Sequence, residues 1–121
     1  MSERIRVAVV DDHPLLREGV VASLEQTGRF TVVGQGGNAE EAFRLARETA
    51  PEILLLDLSM PGGGLAAAGR IADAAPDVKV VVLTVSESDD DVLAALKAGA
   101  RGYVLKGVGA GLLAEILAGV A

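Results

Sequence analysis

The sequence predicts an α/β fold, a parallel sheet of five strands doubly wound by five helices. Short runs rich in Val, Ile and Leu alternate with stretches whose apolar residues recur every three or four positions. The central run, Ile53-Leu54-Leu55-Leu56, is apolar without interruption, as in a strand covered on both faces. Four of the runs end in a polar or charged residue: Asp11, Asp57, Thr84 and Lys106. In open α/β sheets, ligands sit beyond the carboxyl ends of the strands.

The elements follow in order. A first strand spans 5–10, and Asp11-Asp12-His13 follows at once. Pro14 suits the first turn of a helix, where its missing N–H would be unpaired anyway. That helix repeats Leu16, Val20 and Leu24 at fourfold spacing and stops near Gly28. A short second strand spans 30–33, and Gly34-Gln35-Gly36-Gly37 reads as a turn. Asn38 and Glu41 form a capping-box pattern, each side chain able to bond the other's backbone N–H. The helix behind them presents Ala39, Ala42, Phe43 and Ala46 on one face, and Pro51 limits it.

The third strand, 53–57, ends in Asp57, and Met60-Pro61 with Gly62, Gly63 and Gly64 opens a loop. A helix over about 65–74 is apolar at Leu65, Ala68 and Ile71 and weakened by Gly69. A fourth strand, 78–83, ends at Thr84. Ser88 and Asp91 start another helix, with Val92, Leu93 and Leu96 turned inward and Gly99 past its end. A fifth strand, 102–105, ends at Lys106. The last helix, from about Gly111, carries Leu112, Leu113, Ile116, Leu117 and Val120, and the glycines at 107, 109 and 111 give it no side-chain cap. Right-handed crossovers leave few topologies for this order, and the flavodoxin-like 2-1-3-4-5 suits this length.

Bulk properties narrow the function classes. One domain of 121 residues is long enough to bury a core, which aliphatic residues must build because only Phe30, Phe43 and Tyr103 are aromatic. A net charge of −6 argues against nucleic acid as a partner of this segment and suits a cation or a basic surface. Cysteine is absent, so thiolate metal sites and disulfides are excluded and a cytoplasmic location is expected. No signal peptide or membrane-spanning run is visible, and no membrane partner is expected.

The strand ends carry the chemistry. In the predicted order the first and third strands are neighbours, so Asp11, Asp12 and Asp57 meet in one cleft. An Asp after a strand is as readily a helix cap as a ligand. Three carboxylates converging would repel, and a hard dication removes the conflict; Mg²⁺ needs only two or three protein oxygens. Lys106 and Thr84 add a cation and a hydroxyl. Such a set suits a phosphoryl group carried on Asp57, with the metal and Lys106 neutralising the phosphoryl oxygens. His13 reads as a local loop residue, because a single His does not suit a Mg²⁺ site.

Five separated motifs occur in one order: Val10-Asp11-Asp12, Leu56-Asp57-Leu58-Ser59-Met60-Pro61, Leu83-Thr84, Gly102-Tyr103 and Leu105-Lys106. Across essentially the whole chain they resemble the receiver domain of two-component response regulators. The opening Asp11-Asp12-His13-Pro14-Leu15-Leu16-Arg17-Glu18-Gly19 is similar to the NarL/FixJ-type branch, in LuxR-family regulators. The resemblance implies a receiver over 1–121 and a helix-turn-helix DNA-binding output domain, controlling transcription, that is absent from this chain. It implies that Asp57 accepts a phosphoryl group from a sensor histidine kinase. Asp11, Asp12, Asp57 and the Ser59 backbone carbonyl would hold Mg²⁺ (or Mn²⁺), and Lys106 would contact the phosphate. Thr84 and Tyr103 would then switch together, and the face of the fourth helix, fifth strand and fifth helix would change partners, with homodimer formation on phosphorylation. Such a domain is a signalling switch rather than a metabolic enzyme, catalysing only its own phosphorylation and dephosphorylation.

Three departures stand out from the pattern: the Gly62-Gly63-Gly64 loop, Val85 after Thr84, expected to narrow access to the phosphoryl group, and Gly107 where relatives carry an acid. A rival reading takes Gly34-Gln35-Gly36-Gly37-Asn38-Ala39 as a dinucleotide fingerprint with Asp57 about 20 residues on. Against it, that fingerprint follows the first strand of its sheet, where this chain has two repelling aspartates. A second rival, an aspartyl-phosphate phosphohydrolase, would need an acid two residues after its nucleophile, and neither Asp57 nor Asp11 is followed by one.

Overall fold

A computed structural model describes residues 4–60, 62–85 and 89–121. Strands and helices alternate: β1 Ile5–Val10, α1 Pro14–Gln26, β2 Phe30–Gly36, α2 Ala39–Thr49, β3 Ile53–Asp57, α3 Gly64–Ala74, β4 Lys79–Thr84, α4 Asp89–Ala98, β5 Gly102–Leu105 and α5 Ala110–Val120. All strand pairs are parallel, in the order β2-β1-β3-β4-β5. This is the flavodoxin-like topology the sequence predicts.

Strand period explains how the central run serves two cores. Ile53 and Leu55 join Val7, Val9, Val81 and Val104 beneath α1 and α5, with Leu24, Leu113 and Leu117. Leu54 and Leu56 join Ala8, Val10, Val80 and Val82 on the opposite face, beneath α2, α3 and α4. The second face is filled largely by alanines, which let the helices lie close to the sheet.

Several expectations need correction. β2 runs three residues beyond Val33: Gly34, Gln35 and Gly36 pair with Ala8, Val9 and Val10 after a register shift between Val7 and Ala8. Gly34 and Gly36 are therefore strand residues beneath α2, where a Cβ would run into Leu45 and Glu41, and not a phosphate loop. The cap of α2 is also displaced. Asn38 Oδ1 accepts from the Glu41 N–H at 2.9 Å, but Glu41 Oε1 accepts from the Gly37 N–H at 2.9 Å, one residue earlier than expected.

On α4 Ala95 is buried, while Leu93 and Leu96 are 52% and 47% exposed. α4 approaches α3 through small groups, since a Cβ on Gly99 would stand 2.6 Å from that of Ala72. The side facing α3 is therefore built from small residues, Ala95 and Gly99, and Leu93 and Leu96 lie outward. Leu16, Leu65 and Leu112, which sit on the apolar repeats of α1, α3 and α5, lie exposed, and Leu24, Ala67, Leu113 and Ala114 are among the buried residues of those helices. The Ser88 cap and Pro61 lie outside the described residues.

Candidate functional site

Register brings the polar strand ends level. Val10 pairs with Leu56, so Asp11 and Asp57 are neighbours one step on. Asp57 pairs with Leu83, and Thr84 with Leu105, placing Thr84 and Lys106 along the same edge. Asp11, Asp57 and Thr84 are the buried polar residues among those described.

Asp57 is fully buried. Its Oδ1 accepts from the Ser59 N–H at 3.1 Å and the Ser59 hydroxyl at 3.0 Å. Its Oδ2 lies 3.2 Å from Lys106 Nζ, which also stands 3.5 Å from Asp11 Oδ2. Burial pushes the Asp57 carboxyl up, but the Ser59 N–H, the Lys106 ammonium and the Ser59 hydroxyl outweigh it. The carboxyl is held below its usual value and is ionised at neutral pH.

Lys106 is set by its backbone, whose N–H donates to the Thr84 carbonyl at 2.7 Å. Thr84 therefore anchors the lysine as well as lining the edge. Tyr103 lies further back in β5, opposite Val82, half-buried against the α2–α4 face. Ser59 is exposed at the start of the β3–α3 loop.

Asp11, Asp12, His13 and Asp57 each offer an atom to one cluster whose atoms all lie within 4.8 Å of one another. Asp11 Oδ2, Asp12 Oδ1 and Asp57 Oδ2 are buried, and their near partners are the Lys106 ammonium for Asp11 and Asp57 and the His13 ring for Asp12. Three inward-facing carboxylate oxygens against one ammonium leave negative charge uncompensated, which is the donor set a divalent cation satisfies. The residues present therefore fit a metal site.

Two residues join the site that sequence reading left out of it. The His13 ring Nδ1 lies 3.0 Å from Asp11 Oδ1 and 3.1 Å from Asp12 Oδ1, so His13 is more than a loop residue. His13, and neither aspartate, is the N-cap of α1, and it makes no side-chain cap. Arg17 Nη1 donates to the Asp11 carbonyl at 2.9 Å and the Gly36 carbonyl at 3.0 Å, tying β1 and β2 below the cluster. A signal existed for Arg17: helix side chains lean toward the N-terminus, so a residue one turn into α1 reaches back to the strand ends.

Comparison with known proteins agrees with this geometry. The model of the response regulator receiver domain matches residues 7–118. Response regulator GacA of Pseudomonas viridiflava is 46% identical over 114 residues, covering 93% of this chain and 52% of that protein. The nitrate/nitrite response regulator protein NarL of Escherichia coli K12 is 40% identical over 106 residues, covering 87% of this chain and 49% of that protein. The signal receiver domain of a NarL response regulator from Mycobacterium tuberculosis superposes with a TM-score of 0.94 at 33% identity, covering 98% of this chain and 96% of that one. The chain spans about half the length of the curated relatives it matches. Matched over residues 7–118, this chain belongs to the response regulator receiver domain family of two-component signalling, a family of switches rather than metabolic enzymes.

Proposed function

We propose that Asp57 is the phosphoacceptor for a phosphohistidine on a partner sensor histidine kinase. The observation that carries this reading is the state of Asp57: fully buried, yet kept ionised by Ser59 and by Lys106 at 3.2 Å. A carboxylate so held is a competent nucleophile at neutral pH. An Asp57 oxygen attacks phosphorus, the O–P bond forms, and the P–N bond breaks with its electron pair leaving on the imidazole nitrogen. Lys106 neutralises a phosphoryl oxygen and Thr84 supplies a hydroxyl to another. Asp11, Asp12, Asp57 and the Ser59 carbonyl would hold Mg²⁺ or Mn²⁺, which when bound offsets charge on the phosphoryl oxygens.

Tyr103 and the α4–β5–α5 face would respond to the new charge as a two-state element. The relatives are about twice as long, which supports a helix-turn-helix output domain and control of transcription in the whole protein. The same reading puts the chain in the cytoplasm with its kinase; among the described residues no helix is long and apolar enough to cross a membrane.

Intact mass after incubation with acetyl phosphate and Mg²⁺ tests the assignment. One added phosphoryl group is expected on the native chain and none on Asp57→Ala. A mutant that still gains the group would move the acceptor elsewhere.

A further inference from the structure

We propose that Arg17 is a positioning residue of the cation site, holding the Asp11 main chain so that the Asp11 and Asp12 carboxylates face the cluster before an ion arrives. The inference rests on the metal-site reading above and adds to it the group that keeps two of the ligands in place.

The need arises at the end of β1. Val10 pairs with Gly36, the last residue of β2, so the ladder offers Asp11 one more rung and then stops. That rung is the Asp11 N–H donating to the Gly36 carbonyl at 3.0 Å. Two adjacent carboxylates at a strand end repel each other and would splay the chain where no partner strand restrains it. Arg17 supplies the restraint. Its Nη1 donates to the Asp11 carbonyl at 2.9 Å and to the same Gly36 carbonyl at 3.0 Å, a side-chain rung in place of the missing main-chain one. The peptide units on both sides of Asp11 are thereby held, the first by Gly36 and the second by Arg17. Because peptide units are planar, this fixes both soft torsions of Asp11 and the start of Asp12.

The surroundings of the guanidinium agree with a main-chain role. Among the described residues no carboxylate forms an ion pair with Arg17. Gly37 leaves room for it, since a Cβ there would stand 3.2 Å from Nη1. Arg6 makes the same kind of contact at the opposite edge of the sheet, its guanidinium donating to the Thr49 and Ala50 carbonyls. It is the control for a clamp remote from the cluster.

Mn²⁺ titration, read by the EPR signal of the free ion, and urea unfolding test this on the native chain, Arg17→Met, Arg17→Lys, Gly37→Ala, Arg6→Met and Asp11→Asn. Arg17→Met is expected to weaken Mn²⁺ by about tenfold, the scale of a lost outer partner of a metal ligand. Arg17→Lys, whose ammonium can donate to both carbonyls, should recover part of that loss. Gly37→Ala keeps Arg17 but crowds its Nη1, and should weaken Mn²⁺ by a smaller factor. Arg6→Met should lower the urea midpoint yet leave affinity within about twofold of native, because distant sites act independently. Native affinity in Arg17→Met, or an equal loss in Arg6→Met, with Asp11→Asn still abolishing binding, would overturn the role of Arg17 and leave the carboxylate site standing. Native affinity in Asp11→Asn would instead remove the metal site and this role with it. Should circular dichroism show Arg17→Met unfolded, native affinity in both Arg17→Lys and Gly37→Ala would overturn the proposal, and weaker binding in Gly37→Ala would support it.

Discussion

Asp57 shows how a buried acid stays charged. Burial alone would favour the protonated form, and the Ser59 donors and Lys106 reverse that preference. The sign of the linked stability follows. A carboxyl whose folded pKa lies below its unfolded value stabilises the fold above the unfolded pKa, and this contribution is lost as pH falls through the folded one. Urea midpoints of the native chain and Asp57→Asn should therefore differ by a constant amount at neutral pH. Below about pH 4 the native chain should lose stability relative to the mutant. Parallel curves throughout would mean that Asp57 is not held ionised by its neighbours. Val85 makes a second residue-scale prediction. It is 79% exposed and lines an open groove of about 780 Å³ that also contains His13 and Lys106. Val85→Ala should speed both phosphorylation by acetyl phosphate and loss of the phosphoryl group; unchanged rates would show that this side chain does not restrict access.

At the scale of elements, the β3–α3 turn decides where Asp57 sits. A Cβ on Gly64 would run into the Asp57 carbonyl oxygen and lie 2.6 Å from Leu58 Cα, both of them backbone atoms that cannot step aside. Gly64→Ala should cost about 1–3 kcal/mol in urea unfolding and slow phosphorylation, because relief of the clash moves the strand end. Gly34→Ala meets only the flexible tip of Leu45 and should cost less. If the two substitutions cost the same, the turn is more pliable than its geometry indicates. The same scale explains why β2 was read too short. Glycines after Val33 look like a turn to local propensity, but here they admit α2 against the sheet, a requirement set by a distant segment. On α4, periodicity named Leu93 and Leu96 as inward because leucine outranks alanine in hydrophobicity. The close approach of α3 reversed the ranking, since only small residues fit there.

The whole molecule separates two jobs. Both faces of the sheet are spent on the core, and the carboxyl edge is left to the chemistry. Apolar surface available for partners includes Leu93 and Leu96 on α4 and Leu112 on α5, beside Leu15 and Leu16 on α1 and Leu65 on α3. A phosphoryl group on Asp57 that biases the α4–β5–α5 face should change how this surface is used. Light scattering with and without beryllofluoride is expected to show a larger mass with the phosphate mimic, and identical masses would count against self-association through that face.

The order of elements, their parallel pairing and the groups at the ends of β1, β3, β4 and β5 were legible from the chain alone. Period and turn chemistry are local, and a strand's last residue follows from the strand, so Asp11, Asp57, Thr84 and Lys106 had to share an edge once the topology was known. Tertiary structure alone decided which leucines face water, how far β2 extends, that His13 stands 3.9 Å from Asp57, and that Arg17 reaches the Gly36 carbonyl. Those outcomes depend on angstrom-scale separations between segments far apart in the chain. No window of sequence contains both partners of such a contact.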